Sequence, residues 1–194
     1  MPLQNRVAPN GQIHATPARG TMMGNRGGRI HDAAQHLGRA RWRSRQWICC
    51  VLSFKNRQRQ VMGDSYTELF FLDEVTALAA GHRPCFECRR ADALAFASRF
   101  PGADRAPEID RILHDARLDR PETAPLADQP TGTFARDGDA LIALGHHGPL
   151  LWSFTGYTAS HSDPTRTLEI LTPAPTRAVL RAGYQPQWHP SALP

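Results

Sequence analysis

"ELFFLDEVTALAAGHRPCFECRR", Glu68 to Arg90, changes its period twice within 23 residues. Glu68 to Leu72 reads as a short strand. Asp73 and Glu74 then supply acids for the first turn of a helix, Val75, Leu78 and Ala79 give it an apolar side, and Gly81 stands in the stop position with Pro84 just beyond. Cys85 and Cys88 follow at a turn, and "RRADALAFASRF" predicts a second helix that stops before Pro101.

Two thiolates two residues apart at a turn can hold one tetrahedral ion, with sulfurs about 2.3 Å from the metal. A complete zinc site needs two more ligands. Upstream, "WICCVLSF", Trp47 to Phe54, has the length and residue types of a buried strand and carries Cys49 and Cys50. Adjacent side chains on a strand face opposite ways, so only one of these two can reach an ion held by Cys85 and Cys88. The expectation is three cysteines and one further ligand, or four cysteines if the strand ends in a turn at this point, with His82 the nearest nitrogen donor and His146, His147 and His189 more distant in sequence. Two other readings stand beside zinc: a dithiol redox pair, disfavoured because no βαβ pattern surrounds it, and buried inert thiols.

In order and spacing, Glu68 to Arg90 resembles the second half of the Ada-type zinc module of bacterial DNA methylphosphotriester repair proteins. Gly81, Arg83, Pro84, Cys85 and Cys88 match that pattern, and His82 stands where the family has an aromatic residue. The resemblance implies zinc at Cys85 and Cys88 and an Ada-like module over residues 29–100. It does not extend to the family's alkyl-accepting Cys-Arg-Pro-Ser-Cys loop, whose spacing "WICCVLSF" lacks.

Charge is divided unevenly along the chain. Residues 1–60 hold ten arginines and Lys55 against Asp32 alone, a net +10 beside +5 for the whole protein. A basic segment of this strength points to a polyanion, and nucleic acid is the expected partner. Arg26, Arg29, Arg39, Arg41, Arg43 and Arg45 are the candidate contacts. The last four alternate, so an extended chain would place them on one face, with Trp42 and Trp47 available for stacking on bases or for the core. Residues 1–28, rich in Pro, Gly, Asn and Arg, read as a mobile basic arm.

No apolar run approaches the roughly 20 residues that cross a bilayer. A cytoplasmic bacterial protein is expected, with its cysteines as thiols or metal ligands rather than structural disulfides.

Residues 101–130 alternate Pro, Asp and Arg around a helical "EIDRILHDARL" and read as a connector or lid. From Thr131 the pattern turns to β: a hairpin turned at Asp137 and Gly138, strands through "GHHGPLLWSFTGY" and "RTLEILTP", and a closing helix, expected to pack on the same core. "GNRGGRIHD" and "GHHG" offer His31, Asp32, His146 and His147 as base or phosphate-handling groups of a metal- or thiolate-dependent enzyme, nuclease-like or alkyl-accepting. The alternatives are a hinge and a turn without chemistry. The combined expectation is an α+β protein with a small mixed or antiparallel sheet, flanking short helices and a zinc knuckle. Its zinc is mainly structural and its basic region contacts DNA, with a structural or adaptor role as the further alternative.

Overall fold

Helix α1, Glu74–Ala79, forms where the sequence places it, and Asp73 caps it by accepting the Thr76 amide at 2.8 Å. All six of its residues are buried. The computed structural model, which describes residues 1–58 and 60–192, shows why: α1 is packed between two six-stranded sheets.

The first sheet contains β1 (Gln4–Val7), β2 (Ile13–Ala15), β3 (Met22–Arg26), β4 (Trp47–Val51), β5 (Leu69–Phe71) and β6 (Arg83–Pro84), in the order β2-β1-β5-β3-β4-β6. It is mixed: β1 with β5 and β4 with β6 are parallel, the other pairs antiparallel. The second sheet is antiparallel. It orders β7 (Thr123–Pro125), β8 (Phe134–Asp137), β9 (Ala140–Gly145), β10 (Gly148–Ser153), β11 (Gly156–Ala159) and β12 (Thr167–Ile170) as β11-β10-β9-β8-β12-β7. Helices α2 (Arg90–Ala97), α3 (Ala106–Leu118) and α4 (Ala174–Arg181) complete the described elements, and the chain is α+β as expected.

Each side of α1 meets a different neighbour. Ala77 and Ala80 pack with Val7, Met22, Cys49, Leu69 and Phe71 of the first sheet. Val75 and Ala79 pack with Phe134, Ala143, Trp152 and Tyr157 of the second. Leu78 joins Phe96, Ile109, Leu113 and Val179 of the other three helices. At about 1.5–3 kcal/mol for each large aliphatic side chain removed from water, Val75 and Leu78 alone outweigh any intrinsic preference of so short a helix. The acids at its start are tied to the C-terminal segment. Asp73 accepts the Tyr157 hydroxyl and the His189 amide, each at 2.9 Å, while Glu74 accepts the Tyr184 hydroxyl at 2.6 Å and the Gln187 amide at 2.8 Å.

Several expectations are corrected. Residues 1–28 are not a mobile arm: they supply β1, β2 and β3, and β3 lies between β5 and β4 inside the sheet. Short polar strands escaped notice because β3 reads "MMGNR", with no two-residue alternation of apolar and polar types. Residues 101–130, expected as a connector or lid, carry packed secondary structure. Helix α3 buries Ile109, Asp110 and Leu113, Asp110 receives Arg83 through two bonds of 2.8 Å, and β7 pairs with β12. The strand expected over Trp47 to Phe54 ends at Val51, and the β8–β9 hairpin turns one residue later than expected, at Gly138 and Asp139.

Gly81 is needed where it stands. Its φ is +82°, its carbonyl accepts Arg117 Nε at 2.8 Å, and a Cβ there would meet the Arg117 side chain at 2.8 Å.

Candidate metal centre

The β4–β6 pairing brings the cysteines together. Ile48 lies opposite Arg83 and Cys49 opposite Pro84, and the Cys85 amide donates to the Cys49 carbonyl at 2.9 Å. Pro84 has no N–H to give, which an edge strand tolerates. Beyond this pairing the chain turns through residues 86–88, so Cys88 comes round to Cys85, and α2 begins two residues later. The sulfurs of Cys50, Cys85 and Cys88 all lie within 4.8 Å of one another, a grouping that could hold a metal ion. No other His, Cys, Asp or Glu among the described residues joins the three within that span.

Cys49 points the other way. It is fully buried in the core, and Arg89 Nη1 lies 3.7 Å from its sulfur. Burial pushes its thiol up, away from the thiolate a metal requires. His82 does not join the cluster either. It is buried with its ring 4.7 Å from Phe71 and 5.0 Å from Trp47, and its Nε2 accepts Arg26 Nε at 3.4 Å. The helix stop at Gly81 turns it into the core, where an aromatic ring would also fit.

The three clustered thiols titrate together. Cys85 is drawn down to about 5, chiefly because the Cys50 thiol donates to it, with the backbone N–H groups of Cys88 and Glu87 adding to the effect. Cys50 is pushed up as that donor, and Cys88 is raised by burial and by the neighbouring Cys85 charge. One thiolate therefore forms readily and suppresses the other two. A divalent cation held by Cys50, Cys85 and Cys88 would remove that conflict, because its charge would stabilise all three thiolates.

The cluster lies in the wall of a cleft of about 810 Å³ on the outer face of the first sheet, floored by Met23, Ile48, Cys50 and Phe70. Arg6 stacks on Phe70 at 4.7 Å, and Arg57 meets Glu87, the residue before Cys88, at 2.5 Å. Glu68 lines the same cleft across β3 from β4. Its Oε2 accepts the Met62 amide at 2.7 Å, and its Oε1 is buried without a partner. Sequence reasoning missed Glu68, Arg6 and Arg57 here, because nothing in the chain's pattern reveals which strand ends converge on one face.

The proposed catalytic residues are not assembled into a site. His31 holds Thr67 Oγ1 at 2.5 Å and the Gly63 carbonyl at 2.8 Å, so both ring nitrogens clamp the loop before β5. Asp32 Oδ1 accepts the Ala34 and His36 amides, closing a local turn. His146 and His147 are exposed at the β9–β10 turn of the other sheet.

The basic residues divide in two. Arg39, Arg41, Arg43 and Arg45 are exposed, but their segment is a series of bends, so no strand aligns them on one face. Arg29 is half-buried and donates to the His31 carbonyl. Arg26 is only 2% exposed and stacks on Trp47 at 4.0 Å, apart from the exposed segment that carries Arg39 to Arg45.

The chain matches no family model, and no curated protein or solved structure matches it. Among the described residues no helix is long and apolar enough to cross a membrane.

Proposed function

We propose that this chain is a zinc protein acting at a nucleic-acid backbone, with Cys50, Cys85 and Cys88 as thiolate ligands and the fourth coordination position facing the cleft. The observation that carries this reading is the convergence of three sulfurs, from β4 and from the turn after β6, in the wall of a large cleft without a fourth His, Cys, Asp or Glu donor among the described residues. A soft, all-sulfur donor set favours zinc over hard cations. The resemblance of residues 68–90 to the Ada-type module, which includes Cys85 and Cys88, supports the same metal.

Structural zinc sites are closed by four protein ligands, whereas a site with three keeps a position for water or substrate. The three-cysteine arrangement therefore favours a reactive centre over the purely structural zinc expected from the sequence. Such a centre can supply a zinc-bound water or an activated thiolate. The exposed Arg39, Arg41, Arg43 and Arg45, with Trp42 among them, support nucleic acid as the partner.

Cobalt substitution tests the metal assignment. Three thiolates in a tetrahedral field give intense visible bands and sulfur-to-cobalt charge transfer, both weakened in Cys50→Ser and unchanged in Cys49→Ser. A spectrum insensitive to Cys50 would overturn the ligand set.

A further inference from the structure

A second cleft, of about 730 Å³, opens on the opposite face of the first sheet. Residues alternate along β3 and β4, so Asn25 and Ile48 line the metal-side cleft while Arg26 and Trp47 line this one. Its centre is an indole flanked by cations: the guanidinium carbons of Arg26 and Arg117 lie 4.0 and 4.3 Å from the Trp47 ring.

Neither cation has a carboxylate partner among the described residues. Arg26 donates to the Gly11 carbonyl at 2.9 Å and to His82, and Arg117 to the Gly81 and Arg45 carbonyls at 2.8 and 3.2 Å. Asp110, whose field reaches Arg117, is already held by Arg83. Of the acids lining the cleft, Glu122 pairs with Arg177, Glu169 pairs with Arg136, and Asp119 is exposed. Burial, with the charges of Arg117 and Arg41 acting on Arg26 and that of Arg83 acting on Arg117, holds both guanidinium groups down at about 9. A buried and a half-buried cation side by side without a counterion are an expensive arrangement for a fold to keep.

The groups left over are all donors. Trp47 Nε1 and Arg117 Nη2 are buried without partners, and Trp47 is 6% exposed. A ligand that satisfies them must be an anion with several acceptor oxygens. The start of α4, at Pro173 and Ala174, opens on the same cleft and adds its partial positive charge. Trp42, 38% exposed, lines the cleft as well and offers a face for an organic group attached to that anion.

We propose that this cleft is a phosphate site, in which Arg26 and Arg117 hold the phosphate of a small phosphoester or of a nucleic-acid strand and the Trp47 indole N–H donates a further bond. The site is independent of the cysteine centre and stands whether or not that centre binds zinc.

The test is thermal unfolding of the full chain at constant ionic strength with inorganic phosphate, a 5′-mononucleotide or a single-stranded oligonucleotide, for the wild type, Arg117→Met and Trp47→Phe. Expected is a saturable rise of a few degrees for the wild type, since a ligand bound only by the folded state raises its stability by mass action. Arg117→Met should lose that rise, whatever its unfolding temperature without phosphate, since it relieves a like charge but also forfeits the bonds to the Gly81 and Arg45 carbonyls. Trp47→Phe keeps the ring and should weaken phosphate binding several-fold; it serves as the decisive variant if Arg117→Met does not fold. A stronger response to the mononucleotide or to inorganic phosphate assigns a free phosphoester, and a stronger response to the oligonucleotide assigns a strand. No saturable shift with any probe up to about 20 mM, or equal shifts in wild type and variants, would overturn the proposal.

Discussion

The amide of Cys85 donates to the carbonyl of Cys49 at 2.9 Å, and this bond aligns the cluster of Cys50, Cys85 and Cys88 although Cys49 belongs to the core. It extends the short β4–β6 ladder by one residue. The next side chain on β4, Cys50, then points to the outer face and meets Cys85 and Cys88. One cysteine of the adjacent pair supplies the register and the other supplies the sulfur.

Single substitutions should separate these roles. Cys50→Ser, Cys85→Ser and Cys88→Ser each lose bound metal, measured as zinc per chain after dialysis. Cys49→Ala keeps the metal but loses on the order of 1 kcal/mol in urea denaturation, the usual scale for a small core truncation. Loss of metal in Cys49→Ala with Cys50→Ser unaffected would reverse the assignment.

Chelation should remove the metal without unfolding the protein, because the clusters around α1 are built without Cys50, Cys85 or Cys88. Far-ultraviolet circular dichroism and a retained cooperative transition would report this. A chain that unfolds on chelation would restore the structural role for zinc.

Glu74 is the charge on which α1 and its neighbours converge. It is 0% exposed, accepts Arg89 at 2.7 Å, and also holds Tyr184 and Gln187. Glu74→Ala leaves Arg89 buried with Asp92 as its one carboxylate partner among the described residues and should cost about 3–5 kcal/mol in denaturant unfolding. A loss below 1 kcal/mol would show that water reaches the site.

His82 predicts a pH dependence. Burial first, then the Arg26 and Arg117 charges, hold its imidazole well below the usual histidine range. The unfolded chain therefore takes up a proton near pH 6.5 that the folded chain refuses. Stability is fully present above that pH and falls as the pH drops below it, by up to about 1.4 kcal/mol per unit. His82→Phe keeps the ring packing against Trp47 and Phe71 and should flatten this slope between pH 6.5 and 5. An unchanged slope would assign the acid sensitivity elsewhere.

Salt dependence tests the basic surface. If Arg39, Arg41, Arg43 and Arg45 each neutralise one phosphate of duplex DNA, replacing all four with Ala should reduce the slope of log affinity against log salt by roughly 3.6. Fluorescence anisotropy between 50 and 200 mM salt, a range of about fourfold, is enough to see it. Equal slopes in both proteins would exclude this segment as the contact.

What the sequence determined by itself was local. The acids, the apolar spacing and Gly81 specified α1, because a cap, a buried stripe and a positive-φ stop all act within a few residues. The alternation rule specified that only one of Cys49 and Cys50 could face an ion, because a strand repeats every two residues. Which one did was a tertiary decision: burying Cys49 beneath α1 turned Cys50 outward, and no local pattern contains the position of that helix. The same holds for Arg26, read as a surface contact from its charge. At the end of β3 the two-residue period turns it onto the core side, where it stacks on Trp47. The second cleft depends still more on tertiary structure, since Arg26, Trp47 and Arg117 come from separate elements and meet only when α3 closes over the sheet. Sequence reports what each residue can do within a turn or a strand, and packing over tens of residues decides which side of the sheet it does it on.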